Sequence, residues 1–452
     1  NAKLRQVAAL DMNMNSRRCL LAILLVAFLL RLGAASYWHR TAQAEGRLFR
    51  LGDSHSYWTL ASQLARGLPY QYESPEARIF RAPLYPLLLA PLASGEDPAT
   101  GVWWARVLGC LVGLVAVAEI AFLAWRFGGS NASLIAATLA AVYPSAIGMS
   151  IVVLSEAIFI PLMLGHVLAW QSAWQTSSGV SRWGYGLLAG GLAGAAVLAR
   201  PSWLLFAPFA WALGMLIGQD RPRQTLILVA TLIGLSCVMS AWWLRNARIT
   251  GRFVPTTLQV GPSLLDGLHA GASGASDEDM AFMQPLIAEQ LAEDARQTGP
   301  LRSTLEYRIN ARAQQAAVSW AKANPLEVIV LAGRKFLRIW TLWPDGGEVN
   351  STAIRLAITL SSFSILLLAL LYSRTLLGRF DWFYAICFVP SLYFTLLHMV
   401  FVGSVRYREP ALLLLIPLAA CGIARWMRYP VEPPIAVRLA PQGNGIASDS
   451  PK

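Results

Sequence analysis

Five short polar stretches interrupt an otherwise apolar sequence, and they hold the residues best suited to chemistry. They are "RLGDSHSYW" at 50–58, "RIFRAPLYPLLLAPL" at 78–92, "LSEAIF" at 154–159, "AWWLRNARITGRFVP" at 241–255 and "GSVRYREP" at 403–410. Together they offer two carboxylates beside apolar runs, Asp53 and Glu156, and a set of guanidiniums. A carboxylate can take the proton of a hydroxyl that is turning into a nucleophile. Arginine grips phosphate through parallel N–H bonds and stabilises it as a leaving group. These residue types suit an anionic, lipid-borne substrate handled at a membrane surface, provided one face of the fold collects all five stretches.

Membrane helices must do the collecting. Of the 452 residues, 56% are hydrophobic and 14% charged, whereas a soluble domain carries about a quarter charged residues. Runs long enough to cross a bilayer, roughly 17 to 25 residues, predict ten spans: 19–38, 102–125, 132–149, 151–171, 184–199, 202–218, 225–244, 353–373, 382–402 and 411–427. The expected fold class is an all-α polytopic membrane bundle of about ten transmembrane helices. Two long loops, 39–101 and 245–352, form a small, mostly helical domain beside it.

The net charge of +12 does not point to nucleic acid. The arginines sit at the ends of apolar runs, where they meet lipid phosphates and set orientation. Lys3, Arg5, Arg17, Arg18, Arg126, Arg182, Arg221, Arg223, Arg374, Arg379, Arg425 and Arg428 gather on one side. The short connections opposite hold Arg200, Arg406 and Arg408. The first side is therefore cytoplasmic, and both long loops face the periplasm or exterior of a bacterial inner or plasma membrane. Cys19, Cys110, Cys237, Cys387 and Cys421 include no CxxC pair and imply neither a disulfide frame nor a zinc site.

Residues 1–18 form a basic tail. The following "CLLAILLVAFLLRLGAAS" has the short apolar core of a signal peptide, but reads as an uncleaved first helix because the later spans need a membrane anyway. A membrane core then covers 19–244, the loop domain 245–352, further helices 353–428, and a Pro- and Gly-containing tail 429–452. In the first loop, Tyr57, Leu60, Ala61, Leu64 and Ala65 recur at helical spacing, which predicts an amphipathic helix over 54–66 resting on the bilayer. In the second, "STLE" at 303–306 is a capping box, with Ser303 as N-cap and Glu306 reaching back, for a helix ending near Asn324. The segment 326–343 carries Arg334, Lys335 and Arg338 in its middle. It reads as an interfacial helix that snorkels its charges, since mid-bilayer cations are costly.

The motifs also have a characteristic order. "GDSHSYWTLASQLARGLPY" and "RAPLYPLLLAPL", then "LSEAIFIPLML", "LAGAAVLARPSWLL", "WWLRNARITGRFVP" and "HMVFVGSVRYREP", resemble the GT-C superfamily of membrane glycosyltransferases over roughly residues 19–428. The likeness is to bacterial relatives of protein O-mannosyltransferases and lipid A aminoarabinose transferases. It implies an inverting transfer of a sugar from a polyprenyl-phosphate donor to an acceptor hydroxyl at the external face. It implies Asp53 as general base, Glu156 as a second catalytic acidic residue, and Arg81, Arg406 and Arg408 as ligands of the donor phosphate. Arg81 stands where relatives have a basic residue before "PPLY", although the pair here is Ala82-Pro83. His55, Tyr57, Tyr85, Arg245, Asn246 and His398 are further candidates to line the site. The sugar and the acceptor (protein, lipid or polysaccharide) stay open. Some relatives use a metal, but His55 and His269 make no recognisable ligand set, so no cofactor is assigned and a divalent ion is left open.

Plainer roles compete. Asp53 can cap the 54–66 helix while also acting as base. Glu156 can cap or pack at a helix start, Arg406 and Arg408 can anchor headgroups, and His55 can be a surface histidine. Arg200, in the "ARPS" turn, reads as a cap on backbone carbonyls. For the whole protein, the alternatives are a transporter or flippase of lipid-linked sugars and a polysaccharide polymerase or ligase. Transporters tend towards paired repeats with charges near the midplane; this chain has no visible repeat, and its polar residues cluster at one surface.

Overall fold

The computed structural model describes residues 12–49, 51–217, 220–277, 279–344, 351–376 and 381–430. Most of the tails expected at 1–18 and 429–452, with Lys3, Arg5 and Arg379, lie outside the described residues. The described residues form helices and no strands. Among them, five helices are long and apolar enough to cross a membrane: Met14–Ala44, Pro98–Val142, Glu156–Gln175, Arg221–Thr250 and Thr352–Arg374. A sixth results if Val405–Leu413 and Ile416–Trp426, bent by 55° at their junction, count as one span. The bend falls where Pro417 has no N–H to give the carbonyl of Leu413.

Pro98–Val142 holds the span expected at 102–125 and the first part of that expected at 132–149, whose remainder lies in the helix Pro144–Ile151. Gly129 inside Pro98–Val142 adopts φ 80° and ψ −163°, a conformation open to glycine alone. The two arms double back there, so that Ile120 and Ala140 line one small cavity. The span expected at 184–199 is the helix Gly179–Ala199, while 202–218 and 382–402 correspond to the shorter helices Phe206–Ile217 and Val389–Val400, the latter preceded by Trp382–Ala385.

In lipid, apolar surface alone does not drive helices together, and small residues that admit close backbone approach take over. Gly179–Ala199 and Arg221–Thr250 pack in this way: a Cβ on Gly190 would lie 2.1 Å from the Thr231 carbonyl. One chain break inside the bundle is satisfied by a side chain from another helix. Pro144 leaves the Ala140 carbonyl without a helical donor, and Arg31 from the first span supplies it, donating to the Ala140 and Ala141 carbonyls at 3.2 Å each.

The two long loops fold onto the helix ends and correct three expectations. The helix Gly52–Ala65 rests on protein, not on the bilayer: Tyr57, Trp58 and Ala61 pack with Tyr85, Leu89, Val102 and Ala105. The helix Leu305–Ala323 is capped by Thr304, whose hydroxyl accepts from the Tyr307 N–H, and not by Ser303. Glu306 does not reach back. Its carboxylate accepts the Arg78 and Ile79 N–H groups at 3.0 Å each, joining the second loop to the first. Burial pushes this carboxyl up to about 7, with the Ile79 and Arg78 N–H groups pulling it part of the way back. The amphipathic helix Pro325–Trp340 exposes Arg334, but Lys335 is fully buried instead of snorkelling. Its Nζ donates to the Gly267 and Val400 carbonyls at 2.7 and 2.8 Å, since a buried ammonium needs acceptors around it.

Candidate active site

Asp53 lies in the first turn of Gly52–Ala65, where the helix dipole favours a negative charge. It is not the cap, because Leu51 holds that position in extended backbone without a side-chain bond. The carboxylate faces two guanidiniums instead. Arg81 Nη2 is 2.6 Å from Oδ1, and Arg406 Nη2 is 2.8 Å from Oδ2. Burial pushes the carboxyl up, but Arg81 and then Arg406 outweigh it and hold Asp53 at about 2.

Arg81 comes from the coil before the short helix Leu84–Leu89. Its Nε donates to Ser56 Oγ at 3.2 Å, and its guanidinium lies over the rings of Phe80 and Tyr57 at 4.7 and 5.6 Å. The Tyr70 hydroxyl holds its backbone by donating to the Arg81 carbonyl at 3.1 Å. Arg406 sits in the first turn of Val405–Leu413, after the Ser404 cap. Its Nε points away from Asp53 and pairs with Glu156 Oε1 at 3.0 Å.

Glu156 opens the helix Glu156–Gln175 and is 1% exposed. It takes a second guanidinium from Arg200, at the end of Gly179–Ala199. Arg200 was expected to cap carbonyls; Pro201 does stop its helix, and the side chain turns to the neighbouring carboxylate. It is the residue sequence reasoning missed, although "LARPSWLL" contained it. Ser155, beside Glu156, accepts the Tyr57 hydroxyl at 3.0 Å, and Tyr57 meets Tyr85 edge to face at 5.3 Å. The Tyr407 ring has Arg406 and Arg200 at 5.5 and 5.7 Å and stacks on His398 at 4.0 Å.

Not every candidate joins this group. Arg408 is buried elsewhere: its Nη1 donates to the Ile339 carbonyl at 2.9 Å and to that of Thr341, and its Nε meets Glu409. Arg245 backs the first loop, donating to the Arg78 carbonyl at 3.2 Å while lying over Trp242 and Tyr70. Asn246 ties the end of its helix to the Val254 and Thr256 carbonyls. His55 is exposed on the far side of the Gly52–Ala65 helix, edge-on to Phe49 and Tyr72.

The result is a chain of alternating charge, Arg81–Asp53–Arg406–Glu156–Arg200, at one end of an apolar bundle. Three guanidiniums against two carboxylates leave one positive charge in excess. Such a cluster can hold a phosphate and, on Asp53, offer a proton acceptor beside it. Among the described residues, no group of three or more His, Cys, Asp or Glu could hold a metal ion. Both carboxylates of the cluster are engaged by arginine, so the residues present do not form a ligand set.

No protein-family model matches the chain, and no curated protein matches it by sequence. Solved structures do. Archaeal oligosaccharyltransferase AglB from Archaeoglobus fulgidus, in complex with an inhibitory peptide and a dolichol-phosphate, aligns over 89% of this chain and 50% of its own, at 12% identity and a TM-score of 0.53. The same enzyme tethered to an acceptor peptide containing the NVT sequon aligns over 89% and 49%, at 14% identity and a TM-score of 0.52. The chain thus spans about half the length of these structures. ArnT from Cupriavidus metallidurans bound to undecaprenyl phosphate covers 92% of this chain and 79% of its own at 15% identity, with a TM-score of 0.40. The chain shares its helical fold with these archaeal oligosaccharyltransferase structures.

Proposed function

We propose that the chain is a membrane glycosyltransferase that moves a sugar from a polyprenyl-phosphate donor to an acceptor hydroxyl, with inversion, at the external face. The observation that carries this reading is the pairing of both Asp53 oxygens with arginines at the end of a membrane bundle. The fold supports it, since AglB, whose fold the chain shares, was crystallised with dolichol-phosphate and with acceptor peptide. The excess of arginine in short connections on the opposite side supports the external assignment.

In this reading the prenyl chain lies in the bilayer and the donor phosphate lies against Arg81 and Arg406, with Arg200 behind. Asp53 removes the proton of the acceptor hydroxyl as its oxygen bonds to the anomeric carbon. The anomeric C–O bond to phosphate breaks on the opposite face of the sugar, and the electron pair leaves on the phosphate oxygen, neutralised by the guanidiniums. Glu156 does not touch substrate. Enclosed at 1% exposure, it fixes the directions of Arg406 and Arg200.

The test is transfer of radiolabelled sugar from polyprenyl-phosphate donors to an envelope extract by purified wild type and Asp53→Asn. Transfer by wild type, reduced about 10²- to 10⁴-fold in the variant, is expected for loss of a general base. Undiminished transfer by the variant removes Asp53 from that role. Donor movement across liposomes without transfer makes the protein a transporter.

A further inference from the structure

Each arginine at Asp53 is anchored by one nitrogen and reaches the carboxylate with another. Arg81 gives Nε to Ser56 and Nη2 to Asp53; Arg406 gives Nε to Glu156 and Nη2 to Asp53. Both oxygens of the carboxylate are therefore engaged by the outer ends of guanidiniums whose inner ends are fixed elsewhere. Tyr57 on its own helix, Tyr72 in the first loop, and Arg200 with Glu156 on the neighbouring helices complete its charged and titratable surroundings. A carboxylate in this state is a weak base, because opposite charges within hydrogen-bond distance favour its ionised form. Phosphate competes for the same nitrogens, since the guanidinium fork fits phosphate and carboxylate alike.

We propose that the donor phosphate switches Asp53 on, by drawing the outer nitrogens of Arg81 and Arg406 off its carboxylate. This rests on the reading of the site as a lipid-phosphate glycosyltransferase. The guanidiniums pivot about their Nε anchors on Ser56 and Glu156, so the move is small. Asp53 is left without its ion pairs beside the anomeric carbon and only then takes the acceptor proton. When the lipid phosphate departs, the proton passes to water and both arginines return. Donor binding thus precedes acceptor activation, and the base stays silent in an empty site.

Titration calorimetry on the full chain in detergent tests this with a polyprenyl methyl phosphate, a diester with no titratable proton in the working range. Runs in two buffers of different ionisation enthalpy give both affinity and protons taken up. If phosphate must displace Asp53, then Asp53→Asn removes the competitor and binds the diester about tenfold more tightly, worth about 1.4 kcal/mol. Wild type takes up a fraction of a proton on binding at about pH 4.5, near the ordinary carboxyl range. Equal or weaker binding by folded Asp53→Asn, or no proton uptake by wild type, overturns the switch while leaving the donor site standing. Failure of wild type to bind the diester overturns the reading of the site itself. The proton count is made on wild type, so the proposal remains exposed even where the variant does not fold.

Discussion

Glu156→Gln keeps the shape of a side chain and removes one charge from the centre of the network. Glu156 pairs with Arg406 at 3.0 Å and with Arg200, at 1% exposure. Unit charges about 4 Å apart interact by about 4 kcal/mol at an effective dielectric constant of about 20. Removing one partner of a buried pair costs about 3–5 kcal/mol, and the amide oxygen, still an acceptor, puts this variant near 3. With an unfolding entropy of about 2.1 cal/mol/K per residue, that loss lowers Tm by about 3 °C for a chain of 452 residues. Activity falls as well. Without its anchor, Arg406 closes fully on Asp53, and transfer drops by about 10²-fold, as when a positioned base is lost. Tryptophan fluorescence melting in detergent and the radiolabelled transfer assay read the two effects. Wild-type melting together with wild-type transfer would refute the idea that this carboxylate holds the arginines. Wild-type melting with transfer lost would make Glu156 a group that touches substrate.

Arg408→Met and Arg406→Met should separate two neighbouring arginines. The first leaves the Ile339 and Thr341 carbonyls and Glu409 without their donor and lowers stability by about 2–4 kcal/mol with donor affinity intact; the second weakens diester binding in calorimetry. Glu306 makes the contact between the loops sensitive to pH. Its folded-state value, about 7, lies above the ordinary 4.5, so its contribution is full below about 4.5 and is lost as pH rises through about 7. Amide exchange at Arg78 and Ile79, corrected for intrinsic rate, should therefore be faster at pH 8 than at pH 5, and equal protection would count against this. Gly190→Val drives a Cβ to 2.1 Å from the Thr231 carbonyl and should cost about 3 kcal/mol. Gly191→Val, which meets nothing within 4 Å, is the control for the melting experiment.

The sequence made the all-helical membrane class legible through the length of its apolar runs, and motif order drew attention to Asp53, Arg81, Arg406 and Glu156. What it concealed was direction. Arg406 and Arg408 look like one "RYR" element, but on a helix residues two apart face nearly opposite ways. Recognising 405–413 as helix would have separated them. Arg200 ends a helix before a proline, and local chemistry offers it carbonyls; only the neighbouring helix brings Glu156 within reach. Glu306 matched a capping box, yet the N–H donor its carboxylate accepts from lies 228 positions away, in the other loop. Local rules predict local partners, and a membrane bundle with two docked loops supplies distant ones.

Asp53 and its partner Arg406 lie 353 positions apart. A ribosome making this chain from its N-terminus therefore completes the cluster only when Arg406 is added. While the polypeptide ends short of residue 406, the cluster consists of Arg81 and Arg200 against Asp53 and Glu156, a balance of zero with no surplus cation for a phosphate. The positive charge that draws the donor arrives with the final described span. A nascent chain, already threaded into the membrane and surrounded by lipid phosphates, has no charge excess in this cluster with which to capture one until Arg406 has been added.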